Sequence, residues 1–201
     1  RALRAHAPLR RPAAALALVD TVLATMTDTL ARDLTAVLTG ASEFRAHGDS
    51  ATARAIAERV LAWHAAHPPR TVGPGYAARV GGAWREAGRL DSAERYLAVA
   101  ARDTACCAVA HLAAVRFART GDRAALLRVA DSLGASRKPW QHGESRYAQA
   151  GLVALVDREQ ATTILRRAVQ EGQAMTTFHY TALLAPLRGH PPFEQLVTPR
   201  R

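Results

Sequence analysis

A spacing of four residues between a large apolar side chain and a helix-ending turn recurs along this chain. It is clearest at Trp84, which Gly88 follows four positions later. A stripe of small and large apolar residues comes next, at Ala93, Leu97 and Ala100. Glycine tolerates the left-handed backbone with which many helices end, and residues three and four apart share one helix face. The stretch predicts two helices packed across a turn at Gly88, with Asp91 and Ser92 capping the second.

Weaker copies of this pattern lie on both sides of Trp84. Their large apolar residues, here called anchors with Trp84, are Phe44, Phe117 and Leu152. The corresponding turns are Gly48-Asp49, Gly121-Asp122 and Val156-Asp157. Successive anchors are 40, 33 and 35 residues apart (84−44, 117−84 and 152−117). Small residues precede three anchors by three positions, at Ala41, Gly81 and Ala114, whereas the fourth copy has Gln149. We expect the anchors to be buried in the core.

The pattern resembles the tetratricopeptide-repeat family over roughly residues 34 to 173, because that family repeats a helix pair about every 34 residues. A Pro/Gly-rich insertion at residues 67–75 explains the longer first step. The resemblance implies an all-α fold, a right-handed α-solenoid of about four helix pairs. A leading helix near residues 13 to 27 would precede it and a C-terminal cap would close it. The alternative is an irregular helical bundle in which Gly-Asp turns recur by chance.

Three segments follow from this interpretation. Residues 1–12 form a basic Pro/Arg-rich linker, residues 13–185 the helical repeat domain, and residues 186–201 a capping tail. A closing helix is expected over residues 176–184, ending before Pro186. Phe193 and Leu196 are expected to cover the open end of the last helix pair.

The tail carries the run Pro-Leu-Arg-x-x-Pro-x-Phe, which starts at Pro186. It resembles the segment that closes tetratricopeptide arrays in bacterial multidomain regulators, among them serine/threonine kinases, cyclase-like proteins and transcriptional activators. The resemblance implies a regulatory or docking region whose output domain lies upstream. Since the sequence does not begin with methionine, we expect it to be part of a longer protein.

The chain is strongly basic, with a formal net charge of +10, and 26 of its 27 cationic residues are arginine because Lys138 is its one lysine. A basic surface attracts acidic proteins and nucleic acids. The arginines are spread along the helices, which favours a protein partner; a nucleic-acid-binding helical array, the alternative, needs them on one stripe. No run of 18 apolar residues exists, so we expect no membrane span. A cytoplasmic location is expected, or an extracytoplasmic one if a transmembrane segment precedes the chain.

The resemblance also implies that the first helix of each pair lines a concave groove. Positions just after the anchors, or six before them, would then project into it. They give a candidate basic stripe of Arg45, Arg85, His111, Arg119 and Arg146. Because arginine binds carboxylates through two parallel hydrogen bonds, we expect an acidic peptide or an acidic C-terminus as the ligand.

No motif in the sequence indicates catalysis, and we expect neither an enzyme nor a bound cofactor or metal. His64 and His67 are three residues apart on a predicted helix, but no third ligand is near them in the sequence. Cys106 and Cys107 are adjacent, too close for a relaxed disulfide, and are interpreted as small apolar residues inside a helix; the alternative is a redox or metal site formed by the two neighbouring thiols. An enzyme would require a pocket that brings His64 and His67 together with Trp140 and His142.

Overall fold

The computed structural model describes residues 11–26, 31–103, 105–136 and 142–198. Within these ranges all regular structure is helical, which confirms the predicted all-α class. The α-helices are α1 Pro12–Thr25, α2 Ala31–Ala46, α3 Ser50–Ala66, α4 Pro74–Glu86, α5 Leu90–Ala100, α6 Cys106–Thr120, α7 Arg123–Ala135, α8 Glu144–Val153, α9 Arg158–Gln170 and α10 Pro191–Val197. Two 3₁₀ helices span Ala101–Asp103 and Ala182–Leu187.

The chain divides into two compact units. Unit 1 comprises residues 1–103 and unit 2 residues 104–201. In unit 1, α2 packs on α3 and α4, α4 packs on α5, and α1 packs on α3. Its core includes the fully buried residues Val19, Leu34, Phe44, Ile56 and Val60. The predicted single repeat domain over residues 13–185 stays a prediction.

Unit 2 is organised around α8, which packs on α6, α7, α9 and the 3₁₀ helix Ala182–Leu187. Its core includes the fully buried residues Leu126, Leu152, Leu165, Phe178 and Leu187. Phe193 of α10 belongs to this core, and Leu196 packs partly buried against it, while α10 itself contacts α9. The apolar residues of the tail thus contribute to the core of unit 2.

The geometry of the turns explains the spacing of four residues. After α2, the amide of Asp49 donates to the carbonyl of Phe44 at 2.9 Å and that of Gly48 to Arg45 at 3.1 Å. This pair of hydrogen bonds is the Schellman motif, in which the left-handed residue comes four positions after the first acceptor. Gly48 has a φ of 86°. The same pair of bonds recurs after α4, around Gly88 with a φ of 79°. The anchor is therefore the first acceptor of the turn.

Aspartate side chains cap the N-termini of three helices, each of which is the second helix of its pair. The carboxylates of Asp49, Asp122 and Asp157 accept hydrogen bonds from the amides three positions on, at 2.8 to 2.9 Å. Each carboxylate thus accepts a hydrogen bond from one of the backbone N–H groups that have no partner within the first turn of a helix. The predicted cap of α5 by Asp91 and Ser92 is wrong. Helix α5 already begins at Leu90, so Asp91 lies inside its first turn, where a negative charge still favours the helix dipole.

Burial of the anchors differs from the expectation at two of them. Phe44 and Leu152 are fully buried, whereas Trp84 and Phe117 are only partly buried at the edges of their cores. The guanidinium carbon of Arg89 lies over the Trp84 ring, 5.4 Å from the ring centroid. Arg89 is the residue that follows Gly88, so the Schellman turn itself brings these two side chains together.

Gly81, one of the small residues that precede the anchors by three positions, allows close approach of two helices. A Cβ atom there would lie 2.8 Å from Cγ of Leu97, so α4 and α5 could not pack as closely. In the fourth copy of the pattern, which has Gln149 at this position, the small residue lies on the neighbouring helix α7. The Gln149 amide packs against Gly134 of α7, where a Cβ would lie 2.4 Å from its nitrogen. Gly134 thus makes room for the larger side chain.

The predicted closing helix over residues 176–184 is wrong. Turns occupy residues 176–180, and a 3₁₀ helix, Ala182–Leu187, follows and includes Pro186. The β-branched residues Thr176, Thr177 and Thr181 favour helix weakly, which is consistent with turns here. The predicted linker also ends earlier, because Pro12 is the first residue of α1, a position that proline fits. Residues 1–10 of that linker lie outside the described residues.

Candidate functional site

A cleft of about 180 Å³ lies between α2 and α4, the first helices of the two helix pairs in unit 1. From α2 it is lined by Thr35, Leu38, Thr39 and Ser42. From α4 it is lined by Ala78, Arg79, Gly82, Arg85 and Glu86. The two helices line the cleft with equivalent positions, namely those six, five and two residues before each anchor. Three hydroxyl groups and two guanidinium groups make its wall rich in hydrogen-bond donors.

Arg79 spans the cleft from α4 to α2. Its Nε donates a hydrogen bond to the hydroxyl of Thr35, and its Nη1 donates to the carbonyl of Gly75. Burial lowers the pKa of Arg79 from its usual value, because the guanidinium has lost part of its water shell. A partly desolvated cation beside an open cleft is stabilised by an incoming anion.

The first two residues of the predicted stripe lie at this cleft. Arg85 is part of the lining, and Arg45 donates from Nε to the carboxylate of Glu86. Glu86 is 8 % exposed, so Arg45 compensates a carboxylate that would otherwise be buried without a countercharge. The other charged residues of the lining are Arg79 and Arg85.

The other three stripe residues lie in unit 2. His111 is half-buried on α6 and Arg119 is exposed near its end. Arg146, on α8, forms an ion pair with Glu171. In unit 2 the residues five and two before the last anchor, Tyr147 and Ala150, are buried. The groove role of His111, Arg119 and Arg146 stays a prediction.

A segment of the chain itself covers that part of unit 2. The Tyr147 ring stacks on Phe178 with centroids 5.6 Å apart, and its hydroxyl lies 2.7 Å from the hydroxyl of Thr181. Leu183 packs so closely on Gly151 that an added Cβ would lie 2.8 Å from the leucine Cβ. Non-α-helical chain thus packs against the first helices of the unit 2 pairs, in the register that lines the cleft in unit 1.

His64 and His67 do not form a metal site. His64 is buried, with Nδ1 2.6 Å from the hydroxyl of Tyr76 and Nε2 2.7 Å from that of Tyr96. His67 is exposed and stacks on Trp63, with centroids 5.0 Å apart. Both ring nitrogens of His64 thus have phenol partners, and the triad joins α3, α4 and α5. Trp140, proposed as part of a pocket with these histidines, lies outside the described residues.

The buried triad gives unit 1 a predicted pH dependence. Burial lowers the pKa of His64 below 6.5, and burial with the neighbouring Tyr96 raises the pKa of Tyr76 to about 12. Above pH 6.5 His64 is neutral in both the folded and unfolded chain. Below it the unfolded chain binds the proton first, so the free energy of unfolding should fall until the pH passes the lowered native pKa.

Urea unfolding of the chain between pH 8 and pH 5 measures this effect. His64→Gln, which cannot titrate, should show a shallower loss of stability with falling pH than the parent. His67→Gln is the matched control and should keep the parent slope. An equal slope for the parent and His64→Gln would contradict the assignment.

Cys106 and Cys107 are the first two residues of α6, and the structure brings Glu144, the first residue of α8, beside them. The Cys107 thiol donates to Oε1 of Glu144 at 3.4 Å. Cys106 is buried and Cys107 half-buried. The hydrogen bond from Cys107 lowers the pKa of Cys106, while the same contact and burial raise the pKa of Cys107. The interpretation of the two cysteines as small apolar residues in a helix does not include this polar contact, which joins residues 37 positions apart in the sequence.

Comparison with protein-family models, with curated proteins and with solved structures finds no match for this chain. In the described part of the chain, no helix has both the length and the hydropathy that crossing a bilayer requires.

Proposed function

We propose that this chain is a non-catalytic peptide-binding module of the tetratricopeptide type, a right-handed α-solenoid that binds an acidic peptide in the groove lined by its first helices. As such it would be the regulatory or docking region of a larger bacterial signalling protein. The observation that carries the proposal is the cleft between α2 and α4, with Arg79 and Arg85 in its wall. The recurring turns at Gly48 and Gly88, with one geometry, support the repeat architecture.

The chemistry of the cleft favours an acidic ligand in an extended conformation. The hydroxyls of Thr35, Thr39 and Ser42 can donate to backbone carbonyls or carboxylates, and the two arginines can pair with acidic side chains. Leu38 and Ala78 add an apolar surface in the same cleft, against which an aliphatic side chain can pack. In unit 2 the segment Phe178 to Leu187 shows non-α-helical chain packed against first helices.

Binding of a labelled peptide to charge-reversed variants tests the proposal. The probe is a fluorescein-labelled peptide that alternates glutamate and leucine, with a lysine–leucine peptide as its counterpart. Arg79→Glu/Arg85→Glu should weaken binding of the acidic probe by about tenfold or more, because each lost charged hydrogen bond is worth about 1.5–3 kcal/mol. Fluorescence anisotropy at two salt concentrations measures the affinity.

Arg54→Glu/Arg95→Glu is the matched control, since it changes the net charge equally at two exposed positions on α3 and α5. This variant should bind the acidic probe within about twofold of the parent, because charges outside the site act mainly through screened long-range attraction. Equal weakening in both double variants would contradict the cleft as the site. Tighter binding of a single-stranded oligonucleotide than of the acidic peptide, with a steep salt dependence, would favour the nucleic-acid alternative.

Gly82→Leu tests whether the ligand binds in the cleft without changing the charge of the lining residues. A Cβ at Gly82 meets no atom within 4 Å, so a side chain can extend into the cleft without displacing the helix. Replacing a glycine inside a helix should raise stability by about 0.5–1 kcal/mol while the leucine blocks the ligand. A variant that is more stable and binds the acidic probe as well as the parent would contradict the proposal.

A further inference from the structure

A cluster of two thiols and one carboxylate lies in unit 2. It consists of Cys106 and Cys107 at the start of α6 and Glu144 at the start of α8. Their three ligand atoms all lie within 4.8 Å of one another. Helices α6 and α8 pack on each other, so the folded unit brings the three residues together.

The distances suit a tetrahedral cation. With metal–sulfur and metal–oxygen bonds of the usual lengths, a tetrahedral site places two sulfurs about 3.8 Å apart and a sulfur and an oxygen about 3.6 Å apart. The observed distance from Sγ of Cys107 to Oε1 of Glu144 is 3.4 Å. Small side-chain rotations would therefore suffice to bring three ligands around one ion.

We propose that Cys106, Cys107 and Glu144 form a binding site for a single thiophilic divalent cation, of which Zn²⁺ is the natural example. Two thiolates and a carboxylate are donors that zinc accepts, and water would complete the tetrahedron. Each thiol gives up one proton to solvent as its sulfur binds the ion. The bound ion, two thiolates and one carboxylate together carry a net charge of −1.

The backbone around the cluster supports this assignment. Helix α6 begins after Ala105 without a side-chain cap, and Cys106 and Cys107 lie in its first turn, where the helix dipole favours a negative charge. Gly143, the buried N-cap residue of α8 with a φ of 75°, directly precedes Glu144. A relaxed disulfide between adjacent cysteines is excluded by the distance of about 3.8 Å between their Cα atoms. A shared ion lets both sulfurs act together without that bond.

Titration of the reduced full chain with Cd²⁺, a spectroscopic substitute for Zn²⁺, tests the site. One Cd²⁺ per chain should bind, with the ultraviolet charge-transfer absorption of cadmium–thiolate bonds and with release of two protons to a pH indicator. Addition of Zn²⁺ should displace the Cd²⁺ and abolish this absorption. Absence of the band, or of proton release, would overturn the proposal.

Three variants assign the ligands. Cys106→Ala and Cys107→Ala should each reduce the charge-transfer absorption by about half or more, since each removes one of the two thiolates. Glu144→Gln should weaken Cd²⁺ binding by about tenfold or more and keep the absorption at saturation. Glu171→Gln, which removes a carboxylate paired with Arg146 in the same unit, is the control and should bind like the parent. Equal affinity for the parent and Glu144→Gln would overturn the three-ligand site.

Discussion

Replacing Gly143 by alanine is expected to destabilise unit 2 by about 2–5 kcal/mol, because the substitution combines two separate costs. The left-handed backbone at φ 75° costs a residue with a Cβ roughly 1–2 kcal/mol. The new Cβ would also lie 2.2 Å from the carbonyl oxygen of Ala168, a backbone atom. Relieving that overlap requires α9 to move, and overpacking of this kind costs about 1–3 kcal/mol.

The matched control is Gly121→Ala in the same unit. Gly121 has a similar φ of 69°, but a Cβ there meets no atom within 4 Å. Its cost should therefore be the backbone term alone, about 1–2 kcal/mol. Urea unfolding followed by circular dichroism measures both variants. Equal losses for Gly143→Ala and Gly121→Ala would show that the contact with Ala168 does not constrain the fold.

Replacing Phe44 by alanine is expected to cost about 3–5 kcal/mol, the usual loss for a fully buried aromatic side chain. Phe44 is 1 % exposed and packs in the core of unit 1, where truncation leaves a cavity that its neighbours cannot fill. Its backbone carbonyl, which accepts the hydrogen bond from Asp49, is unchanged by the substitution. The loss should therefore come from the side chain alone.

Phe117→Ala is the comparison for Phe44→Ala. Phe117 occupies the same place before its turn but is only partly buried, so part of its surface is in water before and after unfolding. The expected cost is about 1–2 kcal/mol, in proportion to the smaller apolar area removed from water. Chemical denaturation of both variants measures the difference. A loss at Phe117 as large as that at Phe44 would contradict this ranking of the two positions.

The turns could be predicted from the sequence because their chemistry is local. Gly48 and Gly88 lie four residues after the anchors, and that spacing is set by hydrogen bonds within six consecutive residues. The extent to which Trp84 and Phe117 are buried could not be predicted in this way. It depends on which helices pack over each ring. That packing is determined by residues far apart in the sequence. The closing helix predicted after α9 was wrong because turns occupy residues 176–180, where the threonines favour helix weakly.

The cleft could be predicted in part. The expectation that the first helices line a groove identified Arg85, and the position six before the anchor gave Leu38 and Ala78. Thr39 and Arg79 were missed, although they share a single register position, five before each anchor. No local sequence signal indicates that Glu144 approaches Cys107. The two residues are 37 positions apart in the sequence, and the packing of α6 on α8 brings them together.

The Schellman turn has a consequence for how a gene of this kind can change in length. Every atom that ends α2 and starts α3 belongs to a stretch of about nine residues, from the anchor Phe44 to the amide of Thr52 that Asp49 caps. A duplicated segment of DNA that encodes one such pair would carry its own stop and start signals. Insertion or loss of whole pairs by unequal recombination would leave each remaining helix boundary intact.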